Sequence, residues 1–169
     1  MKNKAVIFGS IIVLIAGGIF LMLWRANILG ADAKRTAGGL VAVDSKGTPV
    51  PVSPAQAAEG GLPENTAMQE SNGLLISLTL APYPPSMAAA GDFKVTLADA
   101  KGQAVTGATI SIDLTMPGMY MPPNKLDLQA AEAGAYHASG RFTMRGPWRM
   151  EVILTIDGKT QSLFFDVWL

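Results

Sequence analysis

Cysteine is absent from the chain, and histidine occurs once, at His137. The first absence excludes disulfides, thiolate zinc sites, iron–sulfur ligation and a cysteine nucleophile together. It leaves the redox compartment open, since a cysteine-free chain suits either. A single imidazole means that one copy cannot build a site from two histidines. Excess charge of either sign is also missing: 13 basic residues balance 13 acidic ones in 169 residues. No basic surface calls for nucleic acid, and no acidic tail calls for a basic partner. Neither a phosphate loop nor a dinucleotide fingerprint is present. Asp166, His137 and Ser139 match a hydrolytic triad by residue type, but no nucleophile elbow or oxyanion loop accompanies them. The chain is not expected to be an enzyme.

What the chain does have begins with 20 residues free of charge, Ala5 to Trp24, closed by Arg25. As a helix rising ~1.5 Å per residue this run spans roughly 30 Å, the hydrocarbon core of a bilayer. Secretory signals carry apolar cores of only ~7–15 residues. The faintly cleavage-like triplet Ala31-Asp32-Ala33 lies well past the run. Residues 1–25 therefore read as an uncleaved anchor that holds the lipid bilayer through 5–24, with a removed signal as the alternative. Lys2 and Lys4 on one side and Arg25, Lys34 and Arg35 on the other do not separate the orientations. The expected one, resting partly on the family resemblance given below, makes this a single-pass cell-membrane protein with its C-terminal domain in the periplasm or otherwise outside the cytoplasm. Residues 26–72 are rich in Gly, Ala, Pro and small polar residues, with no sustained period. They read as a flexible extracytoplasmic tether reaching ~35–40 Å on average. Within it Leu40 to Val43 could form a short strand, and Glu64 to Glu70 a helical turn.

From residue 73 the pattern becomes all-β. Leu74, Ile76, Leu78 and Leu80 alternate with Leu75, Ser77 and Thr79, and Phe93, Val95 and Leu97 share one face. Ile110, Ile112 and Leu114 do the same before Lys125 to Ala130, read as one short strand with Leu126 and Leu128 inward. Tyr136, Ala138, Phe142 and Met144 share a parity, as do Trp148, Met150, Val152, Leu154 and Ile156. Gln161 to Leu169 is apolar on both parities, and Asp157-Gly158 before it is a hairpin turn. About seven short strands with turn signals roughly every ten residues predict an immunoglobulin-like β-sandwich over 73–169, without the cysteine pair of antibody domains.

The unusual stretch is Met116-Pro117-Gly118-Met119-Tyr120-Met121-Pro122-Pro123-Asn124, with three methionines in six residues. Its prolines exclude a helix interior or a central strand, so it is a stiff loop. Around it stand Gly91-x-Phe93-x-Val95-x-Leu97, Asp99-Ala-x-Gly102-x-x-Val105-x-Gly107-Ala108, Gly134-x-Tyr136-x-Ala138 and Phe142-x-Met144-x-Gly146-x-Trp148. This combination, over about Gly73 to Leu169, resembles the YtkA-like domain, a group close to FixH. The resemblance implies a membrane-anchored or exported β-sandwich module. For FixH relatives it implies a link to assembly of copper-dependent respiratory oxidases, so a membrane respiratory complex is the expected partner.

Thioethers are soft ligands that favour Cu(I) over hard cations. Met119 and Met121 are the first candidates for metal ligands, with Met116, His137 and Met144 behind them. Each has a structural alternative. Met fills core gaps, Met116 shares the inward parity of Ile110, Ile112 and Leu114, and Met144 shares that of Phe142 and Trp148. His137 lies opposite Tyr136 and Ala138 in parity and reads first as a surface residue. Trp148 is expected as a core anchor, and Trp168 and Leu169 as an exposed contact end. The functions held open are Cu(I) handling or complex assembly through the Met loop, a metal-free accessory subunit that docks through its sandwich and, behind these, a small-molecule binding module, for which the sequence advertises no pocket.

Overall fold

The structure, a computed structural model, describes residues 39–51 and 62–169. The apolar run 5–24, read as an anchor, lies outside the described residues. The rest belongs to a unit running from Gly38 to Leu169. Its strands are β1 (Val41–Val43), β2 (Thr66–Ser71), β3 (Leu74–Ala81), β4 (Gly91–Asp99), β5 (Thr109–Thr115), β6 (Lys125–Asp127), β7 (Gln129–Glu132), β8 (Ala135–Gly140), β9 (Pro147–Ile156) and β10 (Lys159–Trp168). They form two five-stranded sheets, β1-β10-β9-β5-β6 and β2-β3-β4-β8-β7. Every pairing is antiparallel. The all-β sandwich expected from the alternation is the fold.

Period-2 patterning selects the faces. Ile76, Leu78, Phe93, Val95, Ile110, Ile112, Leu114, Trp148, Met150, Val152, Leu154 and Phe165 all point inward and are essentially inaccessible. Each such side chain contributes roughly 1.5–3 kcal/mol by leaving water. Two-residue hairpins close β2–β3 and β9–β10. Asn72 (φ 52°) with Gly73 (φ 76°), and Asp157 (φ 50°) with Gly158 (φ 72°), take the left-handed pairs that such turns require.

Two expectations change. Two described parts of the segment 26–72, read as a tether, join the sandwich. Val41–Val43 pairs with β10, and Thr66–Ser71 pairs with β3 along its whole length, so the helical turn expected over Glu64 to Glu70 is a strand. The single strand expected over Lys125 to Ala130 divides. Lys125–Asp127 pairs with β5, whereas Gln129–Glu132 pairs with β8 in the other sheet. Leu128 lies between them, buried, with its N–H donating to the Ile110 carbonyl at 2.9 Å. The extended run is continuous, but it crosses from one sheet to the other at that residue.

Register fixes the two ends of the sandwich. At one end lie the β2–β3, β4–β5, β7–β8 and β9–β10 turns. The other carries the connections 82–90 (β3–β4), 116–124 (β5–β6) and 141–146 (β8–β9), the end of β10 and the start of β2. The chain also enters here, because Val41 pairs with Asp166 near the end of β10. Leu40 N–H donates to the Glu64 carbonyl at 3.0 Å, and Gly146 and Leu169 exchange backbone bonds of 3.2 and 3.1 Å, tying these segments together.

Two glycines test the frame. Gly73 takes φ +76° in open space, whereas at Gly134 (φ +72°) an added Cβ would stand 2.7 Å from the Leu97 carbonyl oxygen. Gly73→Ala should cost about 1 kcal/mol, the left-handed penalty alone. Gly134→Ala should cost roughly 3 kcal/mol, since the backbone must also shift. Urea unfolding of the two variants checks this, and equal losses would contradict the packing at Gly134.

Candidate functional site

The Met loop is built by its own sequence. Met116-Pro117-Gly118-Met119 is a tight turn, with Met119 N–H donating to the Met116 carbonyl at 3.1 Å. Proline at the second position sets φ, and Gly118 at the third takes φ +80°, the residues this type of turn prefers. The base closes where Leu114 N–H donates to the Asn124 carbonyl at 3.0 Å.

Within this frame the three sulfurs part company. Met116 is buried at 7 % exposure and belongs to the core cluster. Its methyl sits where a Cβ at Gly146 would approach to 2.9 Å, so the side chain is wedged against the β8–β9 connection. Met119 is 53 % exposed, and Tyr120 beside it stands almost wholly in water at 97 %. Met121 is half-buried, with its apolar part against the core. Met144 is also half-buried against the core. Its carbonyl accepts the Trp148 indole N–H at 2.9 Å.

His137 is not brought to this loop. It lies on β8 opposite Lys94, on the face that looks away from the core, and its Nδ1 stands 3.1 Å from an Asp92 oxygen. Met116 belongs to the core, and Met121 and Met144 pack against it. The triad suggested by residue type is not assembled either. Asp166 accepts two bonds from Arg149, each 2.9 Å, in the opposite sheet, and this bidentate pairing raises the Arg149 pKa above its ordinary value. Among the described residues no three His, Asp or Glu side chains are grouped so as to hold a metal ion.

A further thioether escaped the sequence reading. Met87 in the 82–90 connection is 36 % exposed, at the same end as Met119. Its signal was there: Pro82-Tyr83-Pro84-Pro85-Ser86-Met87 is a second proline-stiffened segment carrying a methionine. Tyr83 roots this connection in the fold. Burial first, and the Glu64 charge second, push its phenol pKa up.

A family model described as YtkA-like matches residues 68–153, half of the chain. The chain belongs to the YtkA-like family. The match runs from β2 into β9 and includes the Met loop, His137 and Met144, while β1 and β10 complete the YtkA-like sandwich outside it. No curated protein and no solved structure matches the chain.

Water-facing soft donors at this end are therefore Met119, part of Met121 and Met87. An uncharged thioether set suits Cu(I) and gives little to hard cations, so the donors present fit the metal that the family resemblance implies. Met119 and Met121 are the residues that would hold it. The burial difference gives a direct test. Met116→Ala should lower stability by about 2–5 kcal/mol, whereas Met119→Ala should change it by no more than about 0.5 kcal/mol. Chemical denaturation of both variants measures this, and a neutral Met116→Ala would contradict its place in the core.

Proposed function

We propose that this YtkA-like protein is a single-pass, extracytoplasmic module, anchored through residues 5–24, that handles Cu(I) or supports assembly of a membrane respiratory complex. One observation carries the copper reading. The turn from Met116 to Met119 buries the first sulfur and leaves Met119 exposed, with Met121 half-buried two residues further along the same stiff loop. Thioethers bind Cu(I) without contributing charge, so the ion can pass to a thiolate or imidazole site that binds it more tightly. The role is that of a carrier or assembly factor, and no catalytic step is assigned.

The second reading is a metal-free accessory subunit. It is favoured by the burial of Met116 and by His137 lying on the outward face, which together remove two of the five candidate ligands from a common site. Competition titration against a chromogenic Cu(I) chelator, on the full chain and on the Met119→Leu/Met121→Leu variant, separates the two. Copper handling predicts at least a tenfold weaker Cu(I) affinity in the variant with unchanged unfolding behaviour. Equal affinities would leave the accessory reading.

A further inference from the structure

The two ends of the sandwich differ in chemistry. The end remote from chain entry is turned by Asn72-Gly73, Asp99 to Gly102, Glu132 to Gly134 and Asp157-Gly158, with Lys101 and Lys159 among or beside them. Such polar, charged turns suit open water. The entry end is the reverse. Its connections 82–90 and 116–124 contain no charged residue. The large hydrophobic side chains exposed among the described residues are Met87, Met119, Tyr120 and Trp168, and all four lie at this end.

The charges that do occur here are mostly cationic. Arg141 and Arg145 are exposed in the β8–β9 connection, and Lys125 opens β6. None of the three has an ion-pair partner among the described residues. Of the nearby carboxylates, Asp166 is paired with Arg149, while Glu64 and Asp92, the latter beside His137, are exposed. Pro85, Ser86, Met87, Ala88, Arg145 and Leu169 line an open groove of about 290 Å³ on this end, of mixed apolar and polar lining.

Chain length supplies the occupant. Only residues 25–38 lie between the apolar run ending at Trp24 and the first described residue, Gly39. As a flexible coil this stretch reaches ~20 Å on average, about half the reach of the tether read from sequence. A linker this short gives an effective concentration on the order of millimolar, enough to populate a weak surface contact.

We infer that the entry end of the sandwich docks on the surface of the bilayer that holds residues 5–24. Tyr120 and Trp168 insert at headgroup depth, where amphipathic aromatic rings collect. Met87 and Met119 reach the acyl boundary, and Arg141, Arg145 and Lys125 face anionic phosphates. The inference rests on the anchor of the proposed function. It adds that the Met loop works against the membrane rather than projecting from it.

The test uses the full chain in nanodiscs containing anionic phospholipid. Because the chain lacks cysteine, single labels can be placed by Ala89→Cys at the entry end, Lys101→Cys at the remote end and Leu14→Cys in the apolar run. Quenching of each fluorophore by headgroup-nitroxide and acyl-nitroxide lipids is then read. The expected result is strong headgroup quenching at 89, several-fold above that at 101. It should fall at least threefold in a Tyr120→Ser/Trp168→Ser background and in high salt. Acyl quenching at 14 with no headgroup quenching at 89 overturns the inference while leaving the anchor standing. No quenching at 14 overturns the anchor and this inference with it. A label at 89 shielded from aqueous quencher but untouched by lipid nitroxide, with energy transfer between copies, overturns the inference in favour of self-association.

Discussion

The structure depends on one aromatic bridge between the sheets. Phe93 on β4 lies 5.6 Å from Phe142, and Phe142 meets Trp148 on β9 edge-on at 5.3 Å. Trp148 is wholly buried, so its indole N–H needs an internal acceptor. The Met144 carbonyl supplies it, and this fixes the connection that carries Phe142 into the stack. Each ring contact contributes about 0.5–1.5 kcal/mol beyond burial. At the entry end Met116 packs against Gly146, and the tight turn that follows it leaves Met119 in solvent.

Most of the core was legible because it obeys a period of two. Phe93, Val95 and Leu97, then Ile110, Ile112 and Leu114, then the alternate residues from Trp148 to Leu154 were assigned inward, and all are buried. The edge strand β2 was not legible, for a physical reason. Its inward positions are Ala67 and Gln69, too small or too polar to make an apolar alternation. Gln69 Nε2 donates to the Val43 and Phe164 carbonyls of the opposite sheet, so a polar side chain joins the sheets where a hydrophobe was sought. The missed signal was Asn72-Gly73, whose paired left-handed φ values mark a hairpin and hence a strand before Leu74. The switch at Leu128 left no mark either, since both halves of that run keep the same parity.

The site was half legible for the same reason. Parity placed Met116 on the side of Leu114, where it is buried, and His137 opposite Tyr136, where it faces outward beside Asp92. Composition drew attention to a loop with three methionines and passed over Met87, which has the same proline-stiffened context but one sulfur. What no one-dimensional pattern carries is which loops share an end. Residues 87, 119 and 168 come together only through strand register.

Register also decides where this fold has surface to offer. Exposed strand edges invite pairing with another chain, and three of the four edges here are short or blunted, β2 being the exception with six residues. β1 and β6 have three residues each, and β1 is further covered by the bridge from Val43 to Pro49. β7 has four residues and a register shift between Ala130 and Glu132. The outward faces carry Lys94 with Glu132, His137 with Asp92, and Arg149 with Asp166, pairs that would lose water if covered and gain little. The remote end is charged at its turns. Burying any of these surfaces desolvates ions, whereas the connections 82–90 and 116–124 of the entry end offer thioether and phenol and no charge, with Arg141, Arg145 and Lys125 beside them. The entry end, where Tyr120, Trp168 and Met119 are the most exposed large hydrophobic side chains among the described residues, is therefore the cheapest direction of contact.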